Sequence, residues 1–266
     1  MPDQRRMRAL MGTYVECSAG GMRADAAIDA AFAALALAQT RWSFQDPGSE
    51  LSRLNGARGS ALPLCPATLR LLRAARALMQ ASDGAFDCTV GGTLVAAGAL
   101  PRHSDDAFLP RGHAGDIVLG RGWASLQRPV LLTLDGIAKG YAVDLAVRAM
   151  RHAGASHGWI NAGGDVRVFG DLALPMQRRE ADGSMTPLGA LRNGAMATSR
   201  AGAPDPDFPA HIVGPSTPGV WTVVARSAWR ADALTKVAAT AAPAQRAQRI
   251  AALGGALVQP FPEPLQ

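Results

Sequence analysis

The sequence predicts an α+β fold in one domain, with helices packed against a sheet. Three observations lead there. The 266 residues are 48% hydrophobic and 18% charged, which suits a chain with a sizeable core and excludes a disordered one. Strand-like and helix-like stretches alternate irregularly, favouring α+β over a doubly wound parallel sheet. No repeat, linker or low-complexity tail divides the chain.

In chain order, residues 9–18 read as an opening strand, with Gly12 a bulge or a point of close approach. Residues 24–40 have helical periodicity; Asp25 and Asp29 interrupt the alanines and make the segment amphipathic. A polar loop follows. Asp46-Pro47-Gly48 turns the chain, and Ser49-Glu50-Leu51-Ser52 begins a short helix. Residues 66–81 form a strong amphipathic helix closed by Ser82-Asp83-Gly84. The stretch 99–128, rich in Gly, Pro, His and Arg, holds a hairpin around 115–126. Residues 131–134 are expected to be a strand, followed by a helix from about Ile137 to Ala153. Residues 159–169 read as a strand broken by Gly163-Gly164. Further strands are expected near 188–198 and 220–226, and helices near 231–240 and 243–253.

Charge narrows the function classes. The net charge is +6, but the arginines are scattered without a basic cluster. That pattern argues against nucleic acid and suits a phosphate-bearing small molecule, which needs only a few well-placed cations. Cys17, Cys65 and Cys88 lack metal-type spacing and read as buried or free thiols. No run of eighteen apolar residues marks a transmembrane segment, and the first residues lack the apolar core of an export signal. The expected compartment is the cytoplasm, or the periplasm if such a signal has been removed.

Of the 27 basic residues only Lys139 and Lys236 are lysine. A GC-rich coding bias accounts for the arginine excess. Under that bias, the positions that keep lysine are candidates for a compact ammonium rather than a planar fork.

Four segments carry candidate chemistry. Gly84-Ala85-Phe86-Asp87 ends a helix and then presents an acid, which alone is a C-cap followed by a solvated carboxylate. In 134–144 a strand runs through Gly136 into a helix whose first turn holds small residues and Lys139. Free N–H groups and a cation there attract anions, although Asp135 serves equally well as an N-cap. Gly163-Gly164 within 161–165 suggests either a bulge or a surface laid flat against a planar ligand, and the Rossmann spacing is absent. Asp232 and Lys236 fall four residues apart on one helix face, the spacing of an ordinary surface ion pair.

Together with Met11-Gly12-Thr13, Ser49-Glu50-Leu51-Ser52-Arg53-Leu54-Asn55, Ala197-Thr198-Ser199 and His211-Ile212, these segments resemble the ApbE family of FAD:protein FMN transferases, matching it in order along nearly the whole chain. The resemblance implies one ApbE-like α+β domain over residues 1–266, with a mixed or antiparallel sheet packed with helices. It implies FAD as substrate, and transfer of FMN to a Thr or Ser hydroxyl of an acceptor protein with release of AMP. An FAD-binding or flavin-delivery protein, or an FAD pyrophosphatase giving FMN and AMP, is the alternative. By position, Met11, Ala85, Phe86, Asp87, Thr133, Lys139, Gly163, Gly164 and Thr198 are expected at the FAD. His211, Asp232 and Lys236 are the candidate catalytic residues. A magnesium ion is expected at Asp232 and the Gly136 carbonyl.

The departures from the family pattern concern the metal. The family's threonine four residues after the aspartate is Lys236 here, and an ammonium cannot ligate a cation. Thr235 is one residue away and points about 100° aside on a helix. The family's strand-end aspartate is Thr133, its Thr-Ser-Gly is Thr198-Ser199-Arg200, and its later Asp-Pro is Gly214-Pro215.

Overall fold

The computed structural model describes residues 3–202, 212–214 and 216–258. The first half of the chain runs β1 (Gln4–Leu10), β2 (Thr13–Gly20), α1 (Ala24–Trp42), α2 (Glu50–Asn55), β3 (Leu62–Pro63), α3 (Pro66–Ala81), α4 (Gly91–Ala96), β4 (Ile117–Leu119) and β5 (Trp123–Leu126). Then come α5 (Ala138–His152), β6 (His157–Ala162), β7 (Asp165–Phe169), β8 (Leu174–Arg179), β9 (Met185–Leu191), β10 (Ala195–Ala201), β11 (Gly219–Ala225), α6 (Ala228–Thr240), α7 (Arg246–Ala252) and β12 (Gly255–Val258).

Among the described residues the main sheet has seven strands in the order β1-β2-β6-β7-β10-β11-β12. Every neighbouring pair is antiparallel. One face carries the principal core, where Val15, Cys17, Ile160 and Val223 meet Ile28, Ala31 and Leu35 of α1, Ala142 and Ala146 of α5, and Leu234 and Val237 of α6. On the other face Val166, Val168 and Met196 pack against Met176 and Leu191 of the β8–β9 hairpin. The alternation along β7 separates the two layers: Val166 and Val168 point to the hairpin, so Asp165, Arg167 and Phe169 turn toward the helices. α6 is buried nearly all round, consistent with its alanine-rich sequence.

The helices at 24–40, 66–81, 137–153, 231–240 and 243–253 and the hairpin at 115–126 form close to where the periodicity predicts. Ser49 caps α2 by accepting from Ser52 N at 3.0 Å. The strand expectations need correction at the turns. Residues 9–18 belong to two strands, joined by Met11-Gly12 at φ 55° and 70°. Both central residues lie in the left-handed region, as a two-residue type I′ hairpin turn requires. Gly163-Gly164, at φ 60° and 97°, is likewise the turn between β6 and β7, not a bulge. Residues 188–198 divide into β9 and β10 at Asn193, φ 40°.

Residues 131–134, expected to be a strand, form no strand and join no ladder among the described residues. Their backbone groups are satisfied singly. The Asn55 amide both donates to Leu132 O at 2.9 Å and accepts from Leu132 N at 2.8 Å, while Thr133 N donates to Cys88 O at 2.8 Å. This segment, set by a side chain 77 positions earlier, carries Thr133 to the site.

Candidate functional site

The turns of β1–β2 and β6–β7, the loop after α3, the corner before α5, and strand β10 surround one cleft of about 1620 Å³. Met11, Ala85, Phe86, Asp87, Thr133, Gly136, Lys139, Gly163, Gly164, Thr198 and Lys236 all line it. Asp232 lies behind Lys236 and is 1% exposed. His211 lies outside the described residues. Segments scattered from residue 11 to residue 236 therefore converge on one place.

Backbone geometry makes room for the cleft. Gly164 faces open space, whereas a Cβ on Gly163 would stand 2.5 Å from Thr13 Oγ1, so the two hairpin turns pack closely against each other. Met11 N–H donates to Gln39 Oε1 at 2.6 Å, tying the first turn to α1. The loop after α3 is equally fixed: Phe86 N donates to Ser82 Oγ at 3.0 Å, and Thr240 Oγ1 donates to Ala85 O at 3.1 Å. Asp87 is not the solvated carboxylate expected of a helix end. Its Oδ1 accepts from Thr89 N at 2.7 Å and Thr89 Oγ1 at 2.6 Å, and Arg111 Nε closes on Oδ2 at 2.5 Å. Asp87 shapes the wall and holds Arg111 beside the cleft.

The segment 136–144 works through helix packing as well as charge. Asp135 does not cap α5; it accepts from Thr133 Oγ1 at 3.0 Å. Gly140 allows α5 to touch the start of α6, since a Cβ there would lie 2.4 Å from Ala228 O. Its N–H donates to Asp232 Oδ2 at 3.2 Å. One turn later Asp144 accepts from Ala228 N and Trp229 N, both at 3.0 Å, and caps the otherwise uncapped start of α6. Burial pushes the Asp144 carboxyl up, against those two N–H groups and Arg167.

At the cleft floor the chain's two lysines meet two buried aspartates. Lys139 Nζ stands 3.5 Å from Asp165 Oδ2, an ion-pair distance rather than a close hydrogen bond. The charge of Asp165 raises the Lys139 ammonium above its ordinary range, burial opposes this, and Asp232 and Asp135 add to the rise. Burial, with the charge of Asp232 added, pushes the Asp165 carboxyl up to about 7 in spite of both lysines. Lys236 Nζ donates to Asp232 Oδ1 at 2.5 Å, Ser199 Oγ at 3.1 Å and Asp232 O at 3.2 Å. Thr235 points aside and donates to Asp232 O at 2.7 Å, with its hydroxyl 2.7 Å from Ser199 Oγ.

Asp232 and Lys236 are thus not an ordinary surface pair. The expectation of magnesium at Asp232 and Gly136 meets a physical obstacle: Asp232 has one carboxylate oxygen on the Lys236 ammonium and the other on Gly140 N–H. The lysine stem lies over Gly136, where an added Cβ would be 3.4 Å from Lys236 Cε. As they stand, these residues do not fit a divalent cation. Among the described residues no group of three or more His, Cys, Asp and Glu offers another such site.

Sequence reasoning missed Asp165 and Ser199 as site residues, though both lie in quoted motifs. It also missed Gln39, Arg111 and Arg178, which line the cleft from helix, loop and hairpin. The one available signal was the acid directly after a Gly-Gly turn. No local pattern marks Gln39 or Arg178.

Comparison with known proteins agrees with the fold. A family model described as the ApbE family matches residues 11–257. An FAD:protein FMN transferase of Rhodobacter capsulatus is 34% identical over 191 residues, covering 64% of this chain and 35% of that protein. The chain therefore spans about a third of the length of that curated relative. The ApbE protein of Thermotoga maritima superposes with a TM-score of 0.83 at 23% identity, over 96% of this chain and 93% of that one. The apo flavinyl transferase ApbE of Pseudomonas stutzeri gives a TM-score of 0.77 at 19% identity, over 93% and 87%.

Proposed function

This chain belongs to the ApbE family, and from that premise we propose that it binds FAD in the cleft and transfers FMN to a Thr or Ser hydroxyl of an acceptor protein, releasing AMP. The observation that carries the reading is the convergence of Met11, Phe86, Thr133, Lys139, Gly164 and Thr198 on one cleft with two ammonium groups at its floor. The relative from Rhodobacter capsulatus, named for this activity, supports it.

In the reaction the acceptor oxygen attacks the phosphorus of the FMN half. A new P–O bond forms, the pyrophosphate P–O bond breaks, and AMP leaves with its electron pair while the hydroxyl proton passes to a base. Little covalent work falls to the protein. It must hold the phosphates in line and balance charge as it shifts to the leaving group. On this reading Lys139 and Lys236 balance that charge, and the cleft-lining Gly164 turn and Met11 receive the flat ring. His211 is the base that the family resemblance suggests.

One observation favours a second reading. Lys236 holds the place expected of a metal, which suits an FAD-binding protein that does not turn FAD over. The test is incubation with FAD and a Thr-bearing acceptor, with AMP release followed by chromatography and the acceptor by mass spectrometry. AMP together with an FMN adduct supports transfer. AMP and FMN without an adduct indicates a pyrophosphatase, and intact bound FAD leaves only the binding function.

A further inference from the structure

The misfit at Asp232 leads further. We propose that the Lys236 ammonium is the resident cation of this site, so that the cleft binds the pyrophosphate of its ligand without a divalent metal. The proposal rests on the flavin reading for the identity of the ligand, but not for the cation.

Three features make Lys236 a built-in cation rather than a swinging surface lysine. First, its three acceptors, the Asp232 carboxylate, the Asp232 carbonyl and the Ser199 hydroxyl, match the three donors of an ammonium. They are also the hard oxygen types that magnesium selects. Second, those acceptors are themselves fixed. Asp232 is held by Gly140 N–H, and Ser199 by Thr235, itself bonded back to Asp232 O. Third, the stem fills the space over Gly136 beside Phe86. A divalent ion there would have to expel the ammonium and then bear its charge at close range.

The pairing of charges agrees. Lys139 stands at ion-pair distance from Asp165 and Lys236 from Asp232, so each of the two buried acids already has its own cation. The side chain of Lys236 lines the cleft and remains 22% exposed, so its charge faces a phosphate, which meets the ammonium directly by taking the place of the longest of the three bonds, that to Asp232 O at 3.2 Å. A pre-placed ammonium costs little reorganisation on binding, which is the advantage a bound ion would otherwise supply.

Two arms test this. In the first, Mn²⁺ is titrated into the chain without flavin and followed by electron paramagnetic resonance. The wild type should leave the free-ion signal undiminished, and Lys236→Thr should bind one ion that Asp232→Asn removes from that background. Stoichiometric, Asp232-dependent Mn²⁺ binding by the wild type would overturn the proposal, as would a folded Lys236→Thr that binds none. In the second arm, flavin fluorescence reports FAD affinity in EDTA and in magnesium. The wild type should differ by less than about twofold, and Lys236→Met should lose about tenfold or more in EDTA, because it removes one positive charge beside the phosphates and leaves that of Asp232 uncompensated, without rescue by magnesium. A tenfold gain of the wild type on adding magnesium overturns the inference. If the wild type binds no FAD in either buffer, the flavin reading falls while the Mn²⁺ arm still decides the cation.

Discussion

Replacing Gly140 by alanine should destabilise the protein, although alanine is the better helix former. A Cβ at that position would lie 2.4 Å from Ala228 O, 2.6 Å from Ala228 C and 2.8 Å from Trp229 Cα, all backbone atoms that no rotamer change can move. The helices α5 and α6 must separate. Overpacking of this kind costs about 1–3 kcal/mol. Separation also stretches the bond from Gly140 N–H to Asp232, and a buried donor left unpaired costs about 1–3 kcal/mol more. Against this, Gly to Ala inside a helix returns up to about 1 kcal/mol. The net is a loss of about 1–5 kcal/mol; at roughly 3 kcal/mol and about 2–4 °C per kcal/mol, Tm falls by roughly 6–12 °C. Thermal unfolding followed by circular dichroism measures it. Gly136→Ala is the control, because its Cβ meets Lys236 Cε and Phe86 Cε2 at 3.4 Å, ordinary contact. That variant should leave Tm nearly unchanged. A Gly140→Ala protein as stable as the wild type, or more so, would refute the reasoning, since only the close approach of the two backbones reverses the helix preference.

The remaining predictions concern buried acids. Asp144→Ala removes the acceptor of two N–H groups at the start of α6 and should cost about 1–2 kcal/mol in urea unfolding, with Asp144→Asn recovering part of it; a loss under about 0.5 kcal/mol would contradict the capping role. Asp165 makes stability pH-dependent with a definite sign. Its carboxyl is raised from 3.8 to about 7 among Lys139, Lys236 and Asp232, so the native state holds a proton that the unfolded chain has released. Its stabilising contribution is complete below pH 3.8 and is lost as pH rises through about 7. The stability of Asp165→Asn relative to wild type should therefore climb between those values and level off above; a difference that stays flat with pH rules this out.

Periodic, local features were legible in the residues. The 3.6-residue repeats of α1, α3 and α5 and the Ser49 cap write their structure into adjacent positions, because helix faces and caps involve neighbours only a few residues apart. The two lysines stood out against an arginine background, and both reached the cleft floor. Tertiary structure decided what no neighbour specifies. Met11 adopts a left-handed turn conformation although nothing in a methionine asks for one, and residues 131–134 are held by Asn55 rather than by a ladder. Asp144 looked like part of a helix motif and proved to cap a different helix. Most of all, Lys236 read as one half of a surface pair at helical spacing. Only the packing of β10 and α5 around it buries Asp232, removes competing water and turns that pair into an anchored cation. Sequence spacing fixes which side chains share a face, and burial then decides whether their charges matter.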